Sequence, residues 1–117
     1  MGSKTPPATL ENNLSHNIMV KLVISKSDRK GKRFKAVFTY ADGKTKTTHF
    51  GLKNPKGGTY IDHKDKEIRR RYRARHKKDL DTKDYTRAGY LSYYILWGDE
   101  TNLKDAIKSY KSRFNLS

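Results

Sequence analysis

One stretch of the chain, from Asp62 to Leu80, holds most of the side chains that could do chemistry. Its acidic start, with Asp62, His63 and Asp65, could hold a hydrated Mg²⁺ ion as in a metal-dependent nuclease. Helix capping explains the same carboxylates more simply, because such side chains accept hydrogen bonds from the free N–H groups of a helix's first turn. We therefore predict that Asp62 caps a helix and that these residues bind no metal.

The rest of this stretch is strongly basic and contains neither Gly nor Pro. An acidic start and a basic end suit the helix dipole, so the pattern predicts one helix over Asp62–Leu80. Its apolar side chains form a narrow stripe at helical spacing, which would leave a broad cationic face in water. The stripe consists of Ile61, Ile68, Tyr72 and Leu80.

The basic side chains of the predicted helix are suited to bind phosphate groups. They would neutralise the charge of a nucleic-acid backbone and release its counterions, which gives affinity without sequence preference. The alternative is a helix whose charges are only solvated; we favour phosphate binding because the whole chain shares the positive sign. The candidate residues are Arg69, Arg70, Arg71, Arg73, Arg75, Lys77 and Lys78.

A second basic patch surrounds the turn between the first two predicted strands. A sheet with basic loops can also lie on nucleic acid, whereas lysines on an edge strand can serve only to block unwanted strand pairing. Both interpretations stay open. The candidate phosphate-binding residues here are Arg29, Lys30, Lys32 and Arg33, with Lys26, Lys35, Lys44 and Lys46 in the same hairpins.

The overall composition indicates a polyanionic partner. The chain has 117 residues and a formal net charge of +15, with 27 Lys and Arg against 12 Asp and Glu. Such an excess favours nucleic acid, DNA first, and then an anionic membrane surface or an acidic protein. There is no cysteine, no signal peptide and no apolar run of about 20 residues, which predicts an intracellular protein that is not secreted and has no transmembrane segment.

No sequence motif indicates catalysis or cofactor binding. His49, His63 and His76 are widely separated, and there is no Gly-rich phosphate loop or nucleophile motif. The run from His76 approaches the His-x-Lys-x4-Asp pattern of phospholipase-D-type enzymes but has Lys83 where the aspartate would stand. We therefore predict that the protein is not an enzyme, with no catalytic residue and no cofactor.

The first half of the chain alternates apolar and polar residues with a period of two, which predicts three strands. Asp42-Gly43 indicates a two-residue hairpin loop, because a type I′ turn needs positive φ at both central residues. That loop sets Lys35 opposite Phe50 and places the Phe38 side of the sheet on the core. The predicted strands cover residues 19–25, 34–41 and 44–50.

Two later helices follow a period of about 3.6 residues. Thr86 is expected to cap the first, and Gly98 to end it. The tyrosines of this helix could stack on unpaired bases, but an apolar helix favours core or subunit packing for them. These tyrosines are Tyr90, Tyr93 and Tyr94. Thr101 is expected to cap the last helix, whose apolar stripe is Leu103, Ala106, Ile107, Tyr110 and Phe114.

The order of these elements predicts an α+β fold: a three-stranded antiparallel meander followed by three helices packed on one face. Residues 1–17 are polar, include two prolines, and are expected to form a flexible tail. A single basic domain is then expected over residues 18–117, since a chain of this length builds one modest core.

Five short runs are distinctive in this chain: Lys46–Gly51, His63–Asp65, Tyr72–His76, Leu91–Trp97 and Tyr110–Phe114. In this order they resemble a family of small basic proteins of unknown function encoded by large DNA viruses of algae and protists, and by some algae. The resemblance spans about residues 32–114 and implies an origin more than an activity. The family pattern has Asp-Tyr-Thr before His-Lys-Asp, where this chain has Thr59-Tyr60-Ile61, so no role of that aspartate is carried over.

Three functional hypotheses follow from the sequence. The first, which we predict, is a weakly sequence-specific nucleic-acid-binding protein that compacts or packages viral DNA in the nucleus or the virion. The second is a structural virion component, a minor capsid or core protein whose basic surface meets acidic virion proteins or a membrane. The third is the metal-dependent nuclease.

Overall fold

The structure, a computed structural model, describes residues 19–117, and these form the predicted α+β fold. Three strands make one antiparallel sheet in the order β1-β2-β3, and the helices follow the sheet in sequence. The tail predicted at residues 1–17 lies outside the described residues. The strands are β1 Lys21–Lys26, β2 Lys32–Thr39 and β3 Thr45–Leu52.

The helical half is divided more finely than the three predicted helices. The predicted basic helix is broken into separate pieces, and the helix after it changes from α to π geometry. No helix within residues 19–117 is long and apolar enough to cross a bilayer. The pieces are α1 Tyr60–His63, α2 Lys66–His76, a 3₁₀ helix Lys77–Thr82, α3 Ala88–Leu91 with the π-helical turn Ser92–Leu96 directly after it, and α4 Leu103–Phe114.

The core lies between the Phe38 face of the sheet and the helices from α3 onward, as predicted. Alternate strand residues point inward, because successive side chains of a strand leave opposite faces. The Tyr110 hydroxyl of α4 donates to the carbonyl oxygen of Tyr85, and burial raises the pKa of Tyr110. The best-buried side chains are Leu22, Phe38, Phe50, Tyr60, Leu91, Ile95, Leu96 and Tyr110.

The register of the second hairpin differs by one residue from the prediction. The loop holds three residues between Tyr40 and Lys44, and the backbone N–H of Tyr40 donates to the carbonyl oxygen of Lys44 at 2.8 Å. Gly43, the last loop residue, adopts φ +86°. Three-residue hairpin loops usually consist of a type I turn followed by a glycine in the left-handed conformation. The Asp-Gly pair therefore predicted the hairpin correctly, but the predicted loop length of two residues is wrong. Phe50 therefore lies opposite Phe34 on the core face, with ring centroids 5.7 Å apart, and not opposite Lys35.

Two of the predicted helix caps are wrong. The N-cap of α3 is Arg87, while Thr86 accepts a hydrogen bond from Lys46 on β3 at 2.7 Å and donates one to Asp84 at 2.6 Å. Thr86 thus joins the helical layer to the sheet, a role set by its tertiary neighbours. The N-cap of α4 is Asn102 rather than Thr101, because the Asn102 side chain accepts from the backbone N–H of Asp105.

Candidate nucleic-acid interface

The stretch predicted as one basic helix is broken at Lys64. This residue adopts the left-handed conformation, with φ 60°, and ends the single turn of α1. Asp65 then caps α2, its Oδ1 accepting from the N–H groups of Glu67 and Ile68. The prediction that Asp62 is the N-cap is therefore wrong. Local pattern could not choose between the two aspartates, since either can accept from a helix's first turn.

Asp62 instead joins α1 to the sheet. It accepts hydrogen bonds from both terminal nitrogens of Arg33 at 2.8 Å, and from the backbone N–H and hydroxyl of Thr59. The bond from Arg33, helped by those from Thr59, holds the pKa of Asp62 well below its usual range. Arg33, one of the candidate phosphate ligands, is thus committed to a bidentate ion pair of the strong, geometrically specific kind.

The candidate magnesium ligands are used in the same local hydrogen bonding. Asp62 is held by Arg33, Asp65 caps α2, and His63 Nδ1 accepts from the N–H of Asp65 at 2.8 Å. Within residues 19–117 no group of three His, Asp or Glu side chains is arranged to hold a metal ion. The capping interpretation of the acidic start therefore has a specific partner for each side chain.

Replacing Asp62 with asparagine is expected to lower the free energy of unfolding at pH 7 by about 1–2 kcal/mol. The effect is no larger because the ion pair with Arg33 is partly exposed and water screens it. The folded pKa lies below the unfolded value of about 3.9, so the contribution is complete above that pH and is lost as the pH falls through the folded pKa. The difference between wild type and variant in urea unfolding should therefore shrink below about pH 4.

The matched control is Asp28→Asn, since Asp28 is an exposed carboxylate on the β1–β2 turn. This substitution is expected to leave the unfolding free energy within about 0.5 kcal/mol of wild type both at pH 7 and at pH 3. A deficit of Asp62→Asn that is as large at pH 3 as at pH 7 would show that the Arg33 ion pair is not its cause.

Helix α2 docks by a stripe of arginine and aromatic side chains. Arg69, Tyr72, Arg73 and His76 repeat at the spacing of one helix face. Tyr72 stacks between two rings, with its centroid 4.2 Å from Trp97 and 4.1 Å from His76. Burial raises the pKa of Tyr72 to about 12. The predicted aliphatic stripe plays a smaller part, since Ile68 is 38% exposed.

Arg69 and Arg73 make the polar contacts through which α2 docks. Arg73 donates to the carbonyl oxygen of Trp97 at 2.7 Å and to Asp99 at 2.9 Å, and Arg69 donates to the carbonyl oxygen of Gly98 at 3.2 Å. These carbonyls lie just beyond the π-helical turn, where a helix leaves acceptors unpaired and carries partial negative charge. Two of the candidate phosphate ligands therefore hold the helix in place.

Arg70 and Arg71 are exposed but share an anion on their own helix. Both ion-pair with Glu67, and the hydrogen bond from Arg70 lowers the pKa of Glu67. An ion pair this exposed contributes little to stability and exchanges readily with other partners. These two arginines can thus approach a phosphate, but Glu67 remains beside it.

Arg75, Lys77 and Lys78 form the free cationic group of this region, at the junction of α2 and the 3₁₀ helix. All three are exposed, and none makes a hydrogen bond or ion pair within residues 19–117. We call them the junction cations. They are the part of the predicted helical site that no ion pair or hydrogen bond occupies within the described residues.

The β1–β2 turn carries the second free group. Arg29 and Lys30 are exposed at its tip, and Lys32 is half-buried at the start of β2. The N–H of Lys53, which follows β3, donates to the carbonyl oxygen of Gly31 at 3.0 Å, so another cation lies beside the turn. Of the four candidates predicted here, Arg33 alone is held in a tight internal ion pair.

Two comparisons with known proteins bear on the origin of this chain. Residues 22–76, from β1 to the end of α2, match a family of unknown function, DUF5754. Over 82 residues the chain is 37% identical to uncharacterized protein L851 of Acanthamoeba polyphaga mimivirus, an alignment that covers 65% of this chain and 80% of L851. The chain belongs to the DUF5754 family. No solved structure matches it.

The viral relative agrees with the origin expected from the sequence, a family of unknown function found in a large DNA virus of a protist. The matched DUF5754 segment contains the sheet, the Arg33–Asp62 ion pair and all of α2. It ends at His76, before the Trp97 turn on which α2 docks.

Sequence reasoning missed the docking surface of this DUF5754 chain, the turn from Trp97 to Asp99. The available signal was the spacing of Arg69, Tyr72, Arg73 and His76, which is that of a buried face. A search for aliphatic stripes passes over it because arginine counts as solvent-facing. Arginine readily packs on aromatic rings, and here the Arg69 guanidinium lies 4.5 Å from the Tyr60 centroid.

Arg73→Gln is expected to destabilise the protein by about 2 kcal/mol, because it leaves the Trp97 carbonyl and the Asp99 carboxylate without their donor. Lys78→Gln, one turn further on and exposed, should stay within about 0.5 kcal/mol of wild type. Chemical unfolding of the two variants checks the pair. Equal effects would contradict the division of the basic stretch into docking and free side chains.

Proposed function

We propose that this DUF5754 protein binds nucleic acid, DNA in the first place, through the junction cations and the β1–β2 turn. The observation that carries the proposal is that Arg75, Lys77 and Lys78 are exposed near neighbours in sequence that form no hydrogen bond or ion pair within residues 19–117, in a chain of net charge +15. Adjacent cations of this kind gain most from a polyanion, since each phosphate contact releases condensed counterions.

Weak sequence specificity follows from the chemistry of these side chains. Lysine ammonium groups act as point charges toward phosphate and carry no information about base edges. Three of the arginines that could offer bidentate contacts to guanine, Arg33, Arg69 and Arg73, donate to protein oxygens instead. Arg75 and Arg29 are the arginines of the proposed interface. Backbone binding of this type suits a protein that compacts or packages a viral genome inside the infected cell or the particle.

Direct titration tests the proposal. The full chain is mixed with labelled duplex DNA, single-stranded DNA and RNA at low salt, about 50 mM, where phosphate contacts are strongest. Micromolar or tighter binding with little dependence on base sequence is expected. Absence of binding to all three would end the proposal, and retention by acidic virion proteins alone would favour the structural virion component.

A further inference from the structure

A small cleft lies between the π-helical turn, the Trp97–Asp99 turn and α4, apart from the junction cations. Its volume is about 200 Å³. Arg73, Asp99 and Ser109 line it together with Arg113 from the last turn of α4. Nucleic-acid binding at the junction cations does not use this cleft, so its chemistry needs its own explanation.

Positive charge exceeds negative charge inside the cleft. Asp99 lies 2.9 Å from Arg73 and 3.6 Å from Arg69. Its pKa is lowered chiefly by the hydrogen bond from Arg73, with further lowering by the charges of Arg69 and Arg113. Of the residues that line the cleft, Arg73 and Arg113 carry positive charge and Asp99 alone carries negative charge, so one positive charge is left uncompensated. Arg69, which does not line the cleft, adds its charge beside Asp99. The open groove outside the cleft adds Glu100, Asp105 and Lys108.

Arg113 is held in place without using its hydrogen-bond donors. Its guanidinium lies 4.4 Å from the centroid of the Tyr94 ring, a cation–π contact, and it donates to no acceptor within the described part of the chain. A planar fork of five N–H groups is therefore oriented at the cleft and free to bind an oxyanion. Arg73, which also lines the cleft, keeps N–H groups beyond those that bind Trp97 and Asp99.

The wall that carries the tyrosines has unusual backbone geometry. The N–H of Trp97 donates to the carbonyl oxygen of Ser92 at 3.1 Å, which is the π-helical pattern. The wider turn places Tyr93 and Tyr94 side by side on the cleft, with ring centroids 5.0 Å apart. Such turns are uncommon and occur often at functional sites, which is a reason to look for a ligand here.

We infer that this cleft binds a phosphate monoester. A monoester carries a charge of about −1.5 to −2 at neutral pH and three acceptor oxygens, so the excess positive charge of the cleft and the free donors of Arg113 suit it better than a diester, which carries a single charge. Ser109 supplies a further hydroxyl on the same wall. The volume is below the roughly 300 Å³ of sites for drug-sized ligands, so the cleft has room for the phosphate group and for only part of the molecule attached to it.

Two sources can supply such a group: a small molecule such as a nucleoside monophosphate, or the phosphorylated end of a nucleic-acid strand. The experiment uses the full chain, isotope-labelled for backbone amide NMR, with inorganic phosphate, AMP, adenosine, and one short oligonucleotide made with a 5′-phosphate or a 5′-hydroxyl. We expect phosphate and AMP, but not adenosine, to shift the amide signals of Asp99, Ser109 and Arg113. If the natural source is a strand end, the 5′-phosphate oligonucleotide should also bind more tightly than its 5′-hydroxyl twin.

The matched variants are Arg113→Gln and Lys104→Gln, which each remove one positive charge from α4. Arg113→Gln is expected to weaken AMP binding at least tenfold, and Lys104→Gln to leave it within twofold. Both side chains are exposed and make no internal hydrogen bond within residues 19–117, so unfolding is not expected. The wild-type shifts test the cleft even if a variant proves unstable.

The outcomes separate this inference from the proposed function. If wild-type protein binds DNA but phosphate and AMP leave the amide signals of the cleft unchanged, the inferred phosphate site is wrong and the proposed DNA binding stands. If phosphate and AMP shift the amide signals of the cleft but the protein does not bind DNA, the inferred phosphate site stands and the proposed DNA binding is wrong. Equal losses in Arg113→Gln and Lys104→Gln would reduce the effect to net charge and contradict a built site.

Discussion

Replacing Gly98 with alanine is expected to destabilise the protein by about 4 kcal/mol or more, at the upper end of single-substitution effects. An alanine Cβ would lie 2.1 Å from the carbonyl oxygen of Tyr94 and 2.9 Å from its carbonyl carbon. The obstacle is backbone of the π-helical turn, so relief requires the turn itself to move. Because the Trp97 and Gly98 carbonyls anchor Arg73 and Arg69, the docking of α2 should loosen with it.

Gly89→Ala is the control for this substitution. Gly89 lies in α3, and an added Cβ there would meet only the side chain of Asp79, at 3.0 Å. The gain of about 1 kcal/mol in helix propensity should roughly offset that contact, leaving the unfolding free energy within about 1 kcal/mol of wild type. Urea unfolding of both variants decides the matter. A Gly98→Ala protein as stable as Gly89→Ala would mean that the turn is not the rigid support described here.

Neutralising the junction cations is expected to weaken DNA binding by about 10²- to 10³-fold at 50 mM salt. The variant carries Arg75→Gln, Lys77→Gln and Lys78→Gln. All three side chains are exposed and make no internal hydrogen bond or ion pair in the described structure, so its unfolding curve should overlay that of wild type. A fluorescence titration with labelled duplex DNA measures the loss.

A second triple variant removes the same charge from another face. Lys104→Gln, Lys108→Gln and Lys111→Gln lie on α4 and should weaken binding less than about tenfold, through the loss of long-range attraction alone. Equal losses in the two triple variants would show that DNA responds to net charge only and would remove the assignment of an interface.

The strand order and the inward face of the sheet could be predicted because they depend on local alternation. Phe34, Ala36 and Phe38 of β2 fall on the core side by period alone. The hairpin register could not be predicted, since it depends on whether Gly43 is the second residue of a two-residue loop or the left-handed third residue of a longer one. A one-residue difference there moved Phe50 from the outer face to the core.

The basic stretch shows a different limit of sequence reasoning. Its charge was evident, but which arginines are free depends on acceptors far along the chain: Asp62 for Arg33, and Trp97 and Asp99 for Arg73. Nothing in the sequence near these arginines indicates either pairing, apart from the spacing of the residues on the face of α2 that docks. The candidate list therefore contained the free cations, but it also contained three arginines that stabilise the fold.

The salt dependence of DNA binding tests the central claim most directly, that the junction cations contact phosphate and the docking arginines do not. The dissociation constants of wild type and of the junction triple variant are measured across a salt series, and each lost phosphate contact should flatten the logarithmic slope by about 0.9. We predict that the slope of the variant is shallower by about 2.7 while its stability is unchanged. Parallel slopes for the two proteins would contradict the claim.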